Sequence, residues 1–509
     1  MKGRLSVNMM ANIASFAISL LVSMWLTPFI INTLGAEAYG FIPLTQQLIN
    51  YMSVITVALN GMASRFFTYA AKSGDRVLAE QYFNTSLVSS SVLALFIVIP
   101  LGFMTCFINR IINVPEHLLI DVQISLVIYG VVFILSLMGT AFGMAQFCEN
   151  RLDISGVLSS VNTVLRSLSI LLLLNLFVPK MWYVSLGTLI ASVFYFLQNV
   201  YYFRKLMPDI SFSTRRFSFL RLKELLSSGA WNSVNFIGAT LFLQIDMLVA
   251  NWALGAKLAG EFSALLQLSN LLRAFVSAVI VVFNPTMVEL YAKKDMQALV
   301  RYSNKAVKIT GMMMALPVGL ACGLGGTLLT LWLGEGFSGY DFLFGLMTVH
   351  LSVNLAVQPL FGIFSAANHV RIPAVVTMTM GAANFILTVV LSMVLGMGAW
   401  GIVIAGMIVL TAKNLIFTPI YSAMITKQPL TAYYKGISMP VAGVAFVVSI
   451  GIILQRIFPV SGWIGLLSLA AVISVIYCIA VFLVVLDEDE QQRVKAVIMR
   501  KLNASIREV

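Results

Sequence analysis

Thr33-Leu-Gly-Ala-Glu-Ala-Tyr-Gly-Phe41 contains a turn signature, Leu34-Gly35-Ala36 followed by Gly40. It returns 220 residues later as Leu254-Gly255-Ala256 followed by Gly260. The same offset holds on either side. Asn12 and Phe16 match Asn232 and Phe236, and Gln47, Leu48 and Asn50 match Gln267, Leu268 and Asn270. Farther along, Asp75, Tyr82 and Asn84 match Asp295, Tyr302 and Asn304; after a slip of three residues Pro100-Leu-Gly102 matches Pro317-Val-Gly319. Leu and Ala coincide between any two apolar chains, but Gly, Asn, Gln, Asp and Pro at one offset do not. The chain is an internal duplication.

The material being duplicated is membrane-spanning. Of 509 residues, 60% are hydrophobic and 10% charged, against about 25% charged in a soluble domain. A soluble enzyme and a disordered scaffold are excluded. Apolar runs long enough to cross a bilayer lie at roughly 7–32, 38–63, 85–109, 118–143, 154–178 and 182–203. A second group lies at roughly 228–252, 259–285, 309–333, 342–366, 374–396 and 400–424, with two further spans near 437–458 and 464–486. The expected fold is therefore an all-α polytopic membrane protein of about fourteen helices. Its parts would be an N-terminal six-helix lobe (1–203), a cytoplasmic amphipathic linker (204–227), a second six-helix lobe (228–424), two extra transmembrane helices (425–486) and a cytoplasmic amphipathic tail (487–509). Six is even, so both halves enter the membrane the same way up, as in transporters built from parallel repeats. Met1-Lys-Gly-Arg has no cleavable-signal architecture, so the first span is expected to be retained. Cys106, Cys148, Cys322 and Cys478 fall in apolar stretches without metal-ligand spacing and read as small buried residues.

The net charge of +12 is a topology signal. About 25 of the Lys and Arg residues fall in segments sharing a side with both termini, which the positive-inside rule places in the cytoplasm. Nucleic acid is not implied, and membrane lipids are the expected partner of these charges. Within the linker, Phe217-Ser-Phe-Leu-Arg-Leu-Lys-Glu-Leu-Leu226 reads as a short interfacial helix.

Polar residues inside the spans recur at helical spacing. Gln267, Asn270, Arg273, Ser277 and Asn284 share one face, as do Gln47, Asn50, Ser53, Asn60 and Ser64. Asn12 lies on a similar stripe in the first span, and Asn232, Asn235 and Asp246 in the seventh. Single stripes often serve helix–helix hydrogen bonding; four at corresponding positions point to a hydrated central cavity. Arg166, Asp246, Arg273 and Lys413 are charges inside spans, and each needs a cavity or a partner at a cost of roughly 2.5–3.5 kcal/mol. Asp246 and Arg273 differ in depth by roughly 13 Å at 1.5 Å per residue, too far for a direct pair. Arg273, and next Arg166, suit an anionic ligand; Asp246 suits a cation site or a gate. Lys413 and His350 read as packing residues, and Pro28 and Pro43 as bending points beside the first turn.

The turn motif of Thr33–Phe41, the segment Gln244-Ile-Asp-Met-Leu-Val-Ala-Asn-Trp-Ala-Leu-Gly255 and the duplication together resemble the Wzx-like polysaccharide flippases. These form the polysaccharide-exporter branch of the MOP superfamily, which includes lipid II flippases and MATE exporters. The resemblance covers about residues 1–424, and the two added spans are similar to those of fourteen-helix members. It implies two lobes around a cavity lined by the first, second, seventh and eighth helices. Its substrate would be an undecaprenyl-diphosphate-linked oligosaccharide, moved from the cytoplasmic to the outer leaflet by alternating access for cell-surface polysaccharide biosynthesis. Arg273 and Arg166 would meet the diphosphate, and Asn270, Gln267, Asn50, Gln47, Asn12, Asn232 and Asn235 the sugars. Such a protein is not an enzyme and needs no cofactor or metal. It would sit in the bacterial cytoplasmic (inner) membrane as a monomer, coupled to a monovalent cation and associating with polymerase machinery. A multidrug/cation antiporter of the same fold would show more acidic cavity residues. A membrane-embedded polymerase or glycosyltransferase would show an acid/base pair on an outer loop, and none stands out.

Overall fold

A computed structural model describes residues 2–280, 282–458, 460, 462–486, 488 and 491–492. The side chains of residues 2–13 and the expected tail at 487–509, apart from 488 and 491–492, lie outside the described residues. Among the described residues the secondary structure is entirely helical. The long helices are α1 (Lys2–Tyr51), α2 (Ser53–Lys72), α3 (Arg76–Cys106), α4 (Leu119–Cys148), α5 (Leu152–Leu176) and α6 (Trp182–Leu206). They continue as α7 (Phe219–Leu243), α8 (Ile245–Ile280), α9 (Met296–Gly323), α10 (Arg371–Val389), α11 (Ala399–Ala412), α12 (Tyr434–Ile457) and α13 (Gly462–Ala480).

Twelve helical stretches among the described residues are long and apolar enough to cross a membrane. Two of them, Ala14–Tyr51 and Gly229–Ser277, are broken in the middle by a residue that cannot be helical. Gly35 has φ 84° and ψ 157°, and Gly255 φ 77° and ψ 177°. This is a region a side chain resists and glycine enters freely. Counting each broken stretch as two passes gives the fourteen expected. Pro28 and Pro43 lie inside helical stretches on either side of Gly35, the residue of α1 that takes a positive φ.

The chain packs as two compact units. The first contains Met1–Ala278 and Asn368–Lys413, and the second Val279–Ala367 and Asn414–Val509. In the first unit the two glycine turns cross. A Cβ on Gly40 would lie 2.5 Å from the Gly260 Cα, and one on Gly260 would collide with the Ala36 carbonyl oxygen. The second glycine of each turn motif is thus a close-approach residue, and the first is a bend. A similar glycine contact joins α7 to α10, where a Cβ on Gly238 would sit 2.5 Å from the Met378 nitrogen and one on Gly381 2.6 Å from the Gly238 carbonyl.

The other repeated residues have local structural jobs. Asp75 and Asp295 are N-caps: each carboxylate accepts from the backbone three residues on, Leu78 and Ala298, at 2.9 Å. Asn84 and Asn304 each donate from Nδ2 to a carbonyl in the connection well over a hundred residues later, Ser211 and Ala432, both at 2.9 Å. In the first unit that latch is extended. Glu80 accepts from the Ser211 amide and hydroxyl at 3.2 and 3.0 Å and pairs with Arg216 at 3.4 Å. Ser213 N donates to Asn84 Oδ1 at 2.8 Å and Ser218 N to Thr85 Oγ1 at 3.0 Å.

The interfacial helix expected at 217–226 is not a separate element. Its residues from Phe219 onward are the first turns of α7. No glycine or proline interrupts Phe219–Leu226, and Glu224 is held by Tyr82 Oη at 2.7 Å and Arg221 at 2.8 Å. The Tyr82 hydrogen bond, with Arg221 in support, holds the Glu224 carboxyl below its ordinary value. A lowered carboxylate stabilises the fold at neutral pH and loses that contribution as the medium is acidified through its folded-state value. The cysteines are free, and Cys106 and Cys478 are exposed rather than buried, because they sit on helix faces turned away from the bundle.

Two outcomes follow from these contacts. Gly260→Ala should destabilise the solubilised protein by about 1–3 kcal/mol through forced overpacking, seen as a lowered Tm. Gly336→Ala, where no atom lies within 4 Å of the added carbon, should leave Tm unchanged. Asn84→Ala should free the connection and speed tryptic cleavage at Arg215 and Arg216 several-fold in membrane vesicles, whereas Asp209→Asn at the exposed edge should have little effect.

Candidate functional site

The candidate site lies in the first unit, where both members of three repeat pairs are found. Asn232 and Asn235 on α7 and Asn270 on α8 are exposed; Gln47 and Asn50 on α1, Gln267 and Arg273 on α8 are half-buried. None of these side chains donates or accepts a hydrogen bond among the described residues, apart from backbone contacts such as Ser277 to the Arg273 carbonyl at 2.9 Å. Amides bound for packing would be paired, so their freedom fits faces that line open space. The side chain of Asn12 lies outside the described residues. Its neighbours place the stripe: Phe16 meets Phe275 at 5.7 Å, and Ser19 Oγ lies 3.3 Å from Thr163 Oγ1. Tyr51 donates to the Gln244 carbonyl at 3.0 Å.

Two of the expected ligand-binding residues meet at a partly open pocket of about 130 Å³, lined by Ser23, Thr27, Gln46, Tyr129, Arg166 and Gln267 among others. Arg166 comes from α5 and Gln267 from α8. The guanidinium Nε of Arg166 is buried and has no hydrogen-bond partner among the described residues. A buried cation with an unused donor is costly unless something anionic or polar completes it. Sequence reading missed Gln46 and Tyr129: Gln46 is one residue from the stripe, and a tyrosine in an apolar run carries no periodic signal.

No ion pair joins Asp246 to Arg273 among the described residues, and Asp246 Oδ1 is buried without a hydrogen-bond partner. Asp246 lies instead beside Asn384 of α10. Oxygens of Asp246, Asn384 and Thr388, the last one turn farther along α10, are buried without partners. The glycine contact between α7 and α10 brings this second group near, and Asn384 Nδ2 donates to the Leu241 carbonyl at 3.3 Å. The Asn384 and Thr388 spacing of four was the available sequence signal. Lys413 is a packing residue, its Nζ 5.4 Å over the Phe242 ring. His350 Nδ1 lies 3.2 Å from the Leu346 carbonyl.

Beside the crossed turns, the chain is clasped. Asn113 N donates to Asn251 Oδ1 at 2.7 Å, Asn113 Nδ2 to the Asn251 carbonyl at 3.1 Å, and Asn251 Nδ2 back to the Asn113 carbonyl at 3.2 Å. Trp252 donates to the Ile111 carbonyl at 2.7 Å, and His117 faces Glu37 at 3.7 Å. These contacts join the connection after α3 to α8 on the side where the glycine turns lie.

No family model matches the chain. The chain is 42% identical over 491 residues to the uncharacterized membrane protein EpsK of Bacillus subtilis (strain 168), covering 96% of this chain and 97% of the relative. Among solved structures, an inward-facing multidrug resistance MATE transporter of the MOP superfamily aligns with TM-score 0.63 and 17% identity, over 83% of this chain and 98% of that one. The lipid II flippase MurJ in an inward closed conformation aligns with TM-score 0.60 and 15% identity, over 92% and 98%. A MOP superfamily transporter from Pyrococcus furiosus, described as having a binding pocket of reversed polarity, aligns with TM-score 0.59 and 16% identity, over 87% and 95%. With the fold of the MOP superfamily established by these likenesses, the chain belongs to the family of the Bacillus subtilis membrane protein EpsK.

Proposed function

We propose that the chain is a flippase that carries an undecaprenyl-diphosphate-linked oligosaccharide from the cytoplasmic to the outer leaflet, for cell-surface polysaccharide biosynthesis. The observation that carries this reading is the buried, unpartnered Nε of Arg166 at a cavity shared with Gln267 and Tyr129. A guanidinium with a buried, unpaired Nε is matched to an oxyanion it can bind through two parallel hydrogen bonds. Arg273 supplies the second cation on the approach, and the free amides of Asn50, Asn232, Asn235 and Asn270 suit hydroxyl-rich sugars. The fold shared with a lipid II flippase supports a lipid-linked cargo. The work is conformational and electrostatic, with no catalytic step.

The clasp of Asn113, Asn251 and Trp252 beside the crossed glycine turns is the outer gate in this reading, with both termini cytoplasmic in the inner membrane and the monomer as the working unit beside a polymerase. Asp246, with Asn384 and Thr388, offers oxygen ligands suited to a small monovalent coupling cation. An antiporter of cationic drugs would be served by acidic cavity groups. Here Arg166 and Arg273 stand against Asp246 alone among the site residues.

In proteoliposomes, Arg166→Gln and Arg273→Gln should each cut transfer of a fluorescent undecaprenyl-diphosphate oligosaccharide at least tenfold while the proteins insert and melt normally. Full complementation of a flippase-deficient strain by Arg273→Ala would remove its diphosphate role. Asn251→Ala deletes the two hydrogen bonds made by its side chain, about 0.5–1.5 kcal/mol each, enough to shift a gate equilibrium about tenfold. A Gln46→Cys reporter in a background lacking the native cysteines should then react faster with an impermeant thiol reagent from outside. An unchanged rate would show that the clasp does not gate the cavity.

A further inference from the structure

A second, larger pocket in the first unit lies among α4, α5 and α6. It is a crevice of about 380 Å³ lined by Ser136, Gln146, Ser159, Asn162, Tyr195 and Phe196 among others. None of its lining residues is Asp, Glu, Lys, Arg or His. Its floor is fixed in advance. Gln146 Nε2 donates to Asn199 Oδ1 at 3.0 Å, Ser155 donates to Gln146 Oε1, and Asn199 Nδ2 donates to the Tyr195 carbonyl at 2.8 Å. Its walls keep unused capacity. Asn162 Nδ2 is held by the Ala191 carbonyl at 2.9 Å, which turns its Oδ1 free, and the hydroxyls of Ser136, Ser159 and Tyr195 have no partner among the described residues. The space exists because α4 carries glycines there: a Cβ on Gly143 would meet nothing within 4 Å, and one on Gly139 would meet only Phe196 at 3.6 Å.

Chemistry narrows the occupant. A lipid chain would touch Val132, Leu135 and Phe196 but would leave four polar groups facing hydrocarbon. An anion finds no cation in the lining, and a cation finds no carboxylate. A neutral polyhydroxylated ligand satisfies hydroxyl, amide oxygen and phenol together, and its C–H faces suit the rings of Tyr195 and Phe196. The crevice is also in register with the cavity already described. Ser155, Ser159, Asn162 and Arg166 follow one another along α5 at intervals of four, three and four, so they share a face. From Ser155 to Arg166 that face runs roughly 16 Å at 1.5 Å per residue.

We infer that the α4–α5–α6 crevice is a carbohydrate subsite, holding neutral sugars of the ligand whose anionic group rests at Arg166. The inference builds on the flippase reading and specifies where the glycan sits. The full chain in nanodiscs would be titrated with undecaprenyl-diphosphate N-acetylglucosamine and with sugar-free undecaprenyl diphosphate. Gly143→Leu, whose Cβ meets nothing within 4 Å and whose longer side chain occupies the crevice, should weaken the glycolipid at least tenfold and leave the sugar-free lipid unchanged; Asn162→Ala with Tyr195→Phe should do the same. Arg166→Gln should weaken both lipids. Equal effects of Gly143→Leu on both lipids, or none on either, overturn the subsite.

A second readout separates the two claims: protection of a Ser159→Cys reporter from a thiol reagent by a panel of free neutral hexoses and N-acetylhexosamines. Protection without binding of either lipid sinks the flippase reading and keeps the subsite. Lipid binding without protection, and with Gly143→Leu silent, sinks the subsite and keeps the flippase. Failure of both readouts ends both.

Discussion

The contact between the backbone at Ala36–Gly40 and that at Ala259–Gly260 governs the first unit. Main chains meet there at a distance that leaves no room for a Cβ on either side, and each arrives after a bend that only glycine takes without strain. Because the meeting surfaces are backbone, their separation is fixed by van der Waals radii rather than by side-chain rotamers. Everything on α1 and α8 below the crossing inherits that spacing: Phe16 against Phe275, Gln267 reaching the Arg166 cavity, and the free amides around them. The Asn113–Asn251 hydrogen bonds add reversible strength beside a contact that by itself is mostly shape.

Electrostatics then divides the interior into regions of different character. One contains a buried guanidinium with an unused donor, another buried oxygens beside a carboxylate, and a third hydroxyls and amides without any charge. In a low-dielectric medium such regions cannot substitute for one another, because a misplaced ion or an unpaired dipole costs several kcal/mol. A ligand with an anionic centre and a neutral polar extension would find both on one face of α5.

Much of this was legible in the residues. The duplication exposed Gly40 and Gly260 as positions that matter, although the offset could not say that they touch each other. Helical spacing found Asn270, Gln267 and Arg166, since a period of about 3.6 is visible wherever polar residues are rare. It could not find Tyr129, or pair Asn384 with Asp246, because those relations depend on which helices become neighbours. The amphipathic pattern at 217–226 was real but its separateness was not: periodicity reports a face, and only the absence of a breaker tells that α7 runs on. Gly35 could be read as part of the turn motif, but the spacing alone did not say that its φ would be +84°.

The paired latches of Asn84 and Asn304 have a consequence for how the chain is assembled. Each asparagine grips the connection that leads into a later long helix, α7 in one case and α12 in the other. The joint ahead of α12 thus repeats the joint ahead of α7, each closed by an asparagine at the same place in its repeat. The entry of α12 is therefore set by a single asparagine, while the helix itself is seated by close packing on α9, where a Cβ on Gly319 would lie 2.6 Å from the Val447 side chain.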